Sequence, residues 1–306
     1  MKKLKLISPD DGTTLKKIEG AYVDGSKNLY PIENGVNYLV PKKTIKAQLN
    51  LKLINHQYFR EFKFKKTLQP LRKDIPQDYD MKSKNILRFI PKLKDKTVAY
   101  ALDHGCGSGA LKNVFISEGY EYIGVDNEIG VSTHVGGGKG FKNGASHICD
   151  LHSLPFADNS FRFAVSYSVF EHLQNPLIAA KELYRVMEEN GTCFIAIGNL
   201  VPFHMDSFFH MTHYGVLNLF KSAGFEIMQI AGANWNGYEA ISSMGGLPGP
   251  KIFRKSISKS IVKLHESLWR IKRLLNGDIN TIDEITRHNM MAGLIKAVIR
   301  KKKNFN

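Results

Sequence analysis

Between residues 96 and 236, short apolar runs alternate with segments whose apolar residues recur every three or four positions. Short apolar runs bounded by turn residues read as buried strands, and the 3.6-residue period reads as helix. Strands are expected at 98–103, 122–126, 146–150, 161–167, 192–198 and 225–231. Helices are expected at 110–118, 177–189 and 214–223, each followed by a stop: Gly119, the Asn190-Gly191 pair and Gly224. Residues 290–300 suit one more strand. Strands alternating with helices predict an α/β fold, a doubly wound, mostly parallel sheet covered on both faces.

The flanks are patterned differently. Residues 1–42 carry Gly/Asp turns and short apolar pieces, with alternation around Leu4 and Leu6 and a run Tyr38, Leu39, Val40, and read as a small β module. Residues 43–95 are basic and helix-compatible, broken by Pro70, Pro76 and Pro91. Tyr58, Phe59, Phe62 and Phe64 lie among lysines and arginines there. They suit stacking on nucleobases, but a lid or linker packed over the main domain is the preferred reading. Residues 96–236 are the core. Residues 237–306 hold a loop, a basic amphipathic helix at 253–275, the last strand and a Lys-rich tail. That helix suits either a cap packed on the domain, the favoured reading, or peripheral contact with a membrane.

Composition narrows the classes. The chain has 306 residues, 43% hydrophobic and 23% charged, ordinary for a globular protein able to bury a large core. No apolar run approaches a bilayer span, and the basic start MKKLKL lacks the apolar core of a signal peptide, so neither a transmembrane segment nor a leader is expected. Cys106, Cys149 and Cys193 are too dispersed for a disulfide framework or zinc site, which fits a reducing, cytoplasmic setting. The net charge of +15 favours anionic partners or reflects a solvated, lysine-rich surface.

Candidate chemistry centres on the first core strand. An apolar run ends in Asp103, and Gly105, Gly107 and Gly109 follow before helix-compatible sequence. Such glycines let backbone approach a ligand at a helix N-terminus. Gly105, Gly107 and Ala110 also satisfy the relaxed dinucleotide pattern, so the glycines alone leave the ligand open. The linked segments decide more. ALDHGCGSG, YIGVD at 122–126, CDLHSLPFADNSFRFAVSYSVFEHLQNP at 149–176 and the ELYRVMEENG ending at 191 together resemble the class I S-adenosylmethionine-dependent methyltransferases, type 11-like. The resemblance implies a Rossmann-like, seven-stranded methyltransferase fold and S-adenosylmethionine as cofactor. It implies that Asp103 takes the cofactor's ammonium, and that Gly105, Cys106, Gly107 and Gly109 bring backbone to the methionyl part. Asp126 would accept both ribose hydroxyls, Asp150 the adenine amino group, and the Leu151 N–H would reach a ring nitrogen. Tyr167 and Ser168 would line the other side. Arg162 stands where the family usually has Asp, a surface position. His134 and Gly136, Gly137 and Gly138 fall in a glycine-rich excursion read as a loop.

The N-terminal module resembles the zinc-ribbon-derived unit that precedes bacterial methyltransferase domains. Pro9, Tyr30, Pro31, Ile32 and Gly35 are kept, but Ser8, Asp11, Val23 and Ser26 occupy the cysteine positions. Zinc needs thiolate or imidazole ligands in such a site, so a metal-free remnant held by packing alone is expected.

On the acceptor side, His172, His204 and His210 are the candidate catalytic bases, with His213 beside them, because imidazole can take a proton near neutral pH. Residues 201–225 resemble a pattern in methyltransferases of bacterial glycan clusters: His204, Thr212 and Gly215 match, whereas Ser207 and His210 replace an acid and an arginine. The histidines have no Cys or H-E-x-x-H context, so a metal is not expected. The reading is a methyltransferase acting on O or N of a small-molecule or glycan-linked acceptor. RNA or protein methylation is the first alternative, compatible with the charge but not favoured; Ser166-Tyr167-Ser168-Val169 replaces the tetrad of many base-amine methylases. A non-catalytic cofactor-binding module or membrane-associated scaffold is the second, and a dehydrogenase the last.

Overall fold

The computed structural model describes residues 4–42, 90–93, 98–127, 144–201, 207–232, 237, 249–275 and 291–302. The lid segment with its aromatics, His134 with its glycines, and His204 lie outside the described residues.

Among the described residues, eleven strands form one sheet: β1 (Lys16–Ile18), β2 (Ala21–Val23), β3 (Leu29–Glu33), β4 (Val36–Tyr38), β5 (Tyr100–His104), β6 (Glu121–Asp126), β7 (His147–Ile148), β8 (Phe161–Tyr167), β9 (Met187–Gly198), β10 (Phe225–Gly232) and β11 (Leu294–Lys301). Their order is β1-β2-β3-β4-β7-β6-β5-β8-β9-β11-β10. The seven predicted core strands are thus present, with β5 central and β11 inserted antiparallel between β9 and β10. The expected seven-stranded count is nevertheless too small. β4 of the N-terminal module pairs in parallel with β7, Asn37 opposite His147 and Tyr38 opposite Ile148, so four further strands extend the sheet. β7 itself is a two-residue strand rather than the five expected.

Helices α1 (Lys112–Ser117), α2 (Pro176–Val186) and α3 (His213–Ser222) connect the strands, and α4 (Lys251–Leu275) stands apart from that alternation. Side chains of the central strands alternate between two cores, as the period-2 pleat requires. Leu102, Ala164, Ile195 and Ile299 enter one, with Phe156, Phe170 and Phe220. Phe163, Val165, Phe194 and Val298 enter the other, with Phe115 and Tyr120. Each fully buried phenylalanine contributes roughly 1.5–3 kcal/mol relative to exposure.

The α2–β9 boundary departs from the periodicity. The pattern predicts helix as far as residue 189, but strand β9 begins at Met187. Long-range partners end the helix. The Ser160 N–H donates to the Val186 carbonyl at 2.7 Å and the Asn159 N–H to that of Arg185 at 3.1 Å. The Lys301 ammonium, from the far end of the chain, donates to the Met187 carbonyl at 3.0 Å. Local periodicity carries no record of these partners.

Hydrogen bonds, not packing alone, hold the N-terminal module. The Ser8 hydroxyl donates to Asp24 at 2.9 Å and accepts the Asp11 N–H at 3.2 Å. Asp11 in turn accepts the Ser26 hydroxyl at 2.8 Å. Ser8, Asp11 and Ser26 are therefore linked by a polar chain, and hydrogen bonds from Thr13 hold the Asp11 carboxyl well below the usual carboxylate range. Among the described residues no cluster of His, Cys, Asp or Glu could hold a metal ion.

Candidate functional site

Three carboxylates stand at the carboxyl ends of three adjacent parallel strands. Asp103 is the penultimate residue of β5, opposite Gly124 of β6; Asp126 ends β6, opposite Ile148; Asp150 follows β7 by two residues. In open α/β sheets, ligands bind in the crevice at this edge.

The loop after β5 closes over the edge through its glycines. The Gly105 and Cys106 N–H groups donate to the Val125 carbonyl at 3.0 and 2.9 Å, which folds the loop back onto β6. Gly105 has φ +75°, and a Cβ there would lie 2.4 Å from a Val169 methyl. Gly109 has φ +70°, and its Cβ would meet the backbone of Gly144 at 2.7 Å. Only glycine satisfies both the backbone angle and the space. The Gly107 N–H donates to Asp126 Oδ2 at 2.7 Å, and the Asn127 N–H to Oδ1 at 2.8 Å. Asp126 therefore holds the loop while standing half-exposed at the crevice.

Asp103 is only 4% exposed. Burial raises its carboxyl to about 7, even though the Tyr122 hydroxyl donates to it at 2.9 Å, and the nearby Asp126 charge pushes the same way as burial. Asp150 is bound at Oδ1 by the His152 backbone N–H at 2.9 Å and by its ring Nδ1 at 2.7 Å. The His152 Nε2 accepts the Asn175 N–H at 3.3 Å, which leaves Nδ1 to donate to Asp150. Asn175 caps α2 by accepting the Ile178 N–H. Leu151 is buried beside Asp150. The Cys106 thiol is buried and pushed far up by burial, so it is not a nucleophile.

Past β8, Tyr167 is partly exposed, with Lys296 Nζ 5.8 Å from its ring centroid. Ser168 takes φ +55° and donates its N–H to the Ala196 carbonyl at 2.9 Å. His172 closes the single 3-10 turn that follows, its N–H on the Val169 carbonyl. Glu171, fully buried, receives the Gly198 N–H on Oε1 at 3.1 Å, while its carbonyl accepts the Phe208 and Phe209 N–H groups. His210 sits against Gly198, at the end of β9. Tyr167, Ser168, His172 and His210 are thereby gathered at the ends of neighbouring strands β8 and β9. Thr212 and Gly215 have a local role instead: the Thr212 side chain caps α3 by accepting the Gly215 N–H. His213 leads that helix and packs on Tyr214, ring centroids 4.1 Å apart.

Several residues here escape sequence reading. Tyr122, Gly124 and Gly144 shape the pocket around Asp103, His152 fixes Asp150, and Lys296 sits under Tyr167. His104, fully buried and stacked on Phe170, lies 3.1 Å from the Ser166 hydroxyl; burial lowers it to about 3, so it stays neutral. The H in CDLH, two residues beyond the acid, is the signal that could have found His152.

Within the 149–191 segment, the L-P-F stretch and the E-L-x-R helix end are scaffold. The Leu154 N–H donates to Glu182, and Arg185 donates to the Leu154 and Phe156 carbonyls at 2.8 and 2.7 Å and to Glu182 and Asp158. The L-P-F and E-L-x-R elements are the two halves of one clamp.

A methyltransferase domain family model matches residues 102–195. An uncharacterized methyltransferase from Mycobacterium sp. (strain KMS) is 32% identical over 100 residues, 31% of this chain and 37% of the relative. One from Mycobacterium marinum matches to the same extent. The match thus spans little more than a third of these curated relatives. Among solved structures, the chain is similar to Haemonchus contortus phosphoethanolamine N-methyltransferase 2 in complex with S-adenosyl-L-methionine, at TM-score 0.44 and 14% identity over 72% of this chain and 52% of that one. It is also similar to a Methanosarcina mazei SAM-dependent methyltransferase, at TM-score 0.41 and 16% identity over 72% and 97%. The matched stretch runs from the central strand through the glycine loop and the clamp into β9, so this part of the chain matches the methyltransferase domain family.

Proposed function

We propose that this protein transfers a methyl group from S-adenosylmethionine to an oxygen or nitrogen of a small-molecule or glycan-linked acceptor. The observation that carries the reading is the row of three carboxylates, Asp103, Asp126 and Asp150, at adjacent strand ends beside a loop that needs glycine at 105 and 109. The residues fit the cofactor. A loop whose backbone is bare at Gly105, Gly107 and Gly109 admits the methionyl part, a buried acid suits an ammonium, and a carboxylate with two oxygens suits a diol. When bound, the cofactor supplies an electrophilic methyl on a sulfonium.

The chain's part is positioning. Asp103 would hold the ammonium, Asp126 the ribose and Asp150 the adenine, beside the ends of β8 and β9. There Tyr167 and Ser168 form the wall, and His172 and His210 are the groups able to take the acceptor's proton. Exposed Phe208 and Phe209 rings give an apolar face on which the C–H side of a sugar can lie, which supports the glycan-linked reading.

Calorimetric titration with S-adenosylmethionine and its demethylated product, on wild type and Asp126→Ala, tests the cofactor. Micromolar binding that the variant loses is expected. Transfer of labelled methyl to nucleotide sugars, with RNA as the comparison, then tests the acceptor class. Absence of binding by wild type overturns the reading.

A further inference from the structure

The 25-residue helix α4 carries an apolar stripe that none of the described residues covers. Phe253, Ile261, Leu264, Leu268 and Ile271 are 41–61% exposed, and Leu274 and Leu275 are more exposed still. At 3.6 residues per turn, Phe253, Ile257, Ile261, Leu264, Leu268, Ile271 and Leu275 fall within a sector of about 80°. The side turned to the protein is centred elsewhere: Arg254, Ser258, Val262, His265 and Trp269 are less exposed there, and within the stripe only Ile257, at its N-terminal end, is half-buried. A cap helix would bury its apolar stripe; α4 buries the neighbouring side and leaves the stripe to solvent.

The charges name the partner. α4 contains eight Lys or Arg residues and one acid, Glu266, nearly half of the chain's net charge of +15. Lys259, Lys263 and Arg270 are exposed on the far side, and Lys272 stands at the edge of the stripe, its ammonium 5.4 Å from the Trp269 ring centroid. Long lysine stems allow the heads to reach a phosphate layer while apolar neighbours sit lower. The Ser267 hydroxyl, beside the stripe, donates to the Lys263 carbonyl at 2.8 Å and so asks for no outside partner. No described helix is long and apolar enough to cross a membrane, so α4 can lie on a bilayer but not span it.

We propose that α4 binds an anionic lipid surface, lying in its plane with the Phe253–Leu275 stripe in the acyl boundary and its lysines at the headgroup phosphates. The proposal is independent of the methyl acceptor. It is tested by co-sedimenting the full chain with phosphatidylcholine vesicles, with and without phosphatidylglycerol. The comparison proteins are Leu264→Glu with Leu268→Glu, and Lys263→Gln with Lys272→Gln. All four side chains are exposed, so both variants should keep the wild-type melting temperature. Wild type should sediment with anionic vesicles and little with neutral ones. The glutamate pair should lose at least about tenfold, and each lysine removed about fivefold. Failure of wild type to bind anionic vesicles overturns the proposal, as does unchanged binding by the glutamate pair. A wild-type dimer that the glutamate pair renders monomeric, with no vesicle binding, overturns it too, since the stripe would then join two copies of the chain.

Discussion

The Tyr122 hydroxyl donates to Asp103 Oδ2 at 2.9 Å across neighbouring strands β6 and β5, the main polar support given to a carboxyl that is otherwise buried. One neutral donor does not offset that burial, and the carboxyl stays near 7. An arriving ammonium would complete what the site lacks.

Cofactor binding should therefore be coupled to proton release. Below pH 7 Asp103 is largely protonated, and binding a cation requires its ionised form. Calorimetry at pH 6 in buffers of different ionisation enthalpy should show close to one proton released (about 0.9), and about none at pH 8. A pH-independent enthalpy would refute the assignment. The sign for folding is the reverse of a salt-bridged acid: the contribution is full below the ordinary carboxylate pKa and lost as pH rises through about 7. Asp103→Asn should thus raise the melting temperature at pH 8 while lowering cofactor affinity at least about tenfold.

Gly105→Ala should cost about 3 kcal/mol in urea unfolding, from the left-handed backbone and the overlap with Val169. Adding Val169→Ala should recover the overlap portion but not the backbone portion. A strictly additive double mutant would show that the two residues do not collide.

Arg185→Ala removes five hydrogen bonds from the clamp on residues 154–158. It should lower stability by about 3 kcal/mol. Cofactor affinity well below the melting temperature should change less than about twofold, because Arg185 does not reach the crevice carboxylates. A large loss of affinity without loss of stability would contradict the scaffold role.

In the N-terminal module, a chelator should leave the melting temperature unchanged, whereas Ser8→Ala should lower it, since the Ser8 hydroxyl joins Asp24, Tyr30 and Asp11. Sensitivity to chelation would show that a metal, not this network, ties the module.

How much of this is legible beforehand differs by element. Strand β8 matches its expected bounds, because Phe163–Val165 is an apolar run buried on both faces and β-compatible residues flank it. The crevice acids Asp103, Asp126 and Asp150 are legible as the last residues of the expected strands 98–103, 122–126 and 146–150. The end of α2 is not, since the groups that donate to its last carbonyls come from residues 159, 160 and 301. His204 stays outside the described residues, so the acceptor-side trio is assembled only as far as His172 and His210.

By itself the sequence determined what depends on local chemistry: the order of strands and helices, the glycine positions, the amphipathic period of α4 and the linked motifs of a methyltransferase domain. Tertiary structure decided what depends on long-range contact. It joined the N-terminal strands to the sheet through Asn37 and Tyr38, and raised Asp103 by burying it. It turned the L-P-F and E-L-x-R segments into a clamp and left the stripe of α4 uncovered. A residue's period and type are written in its neighbours along the chain. Its burial, its partners and therefore its charge are set by residues tens to hundreds of positions away.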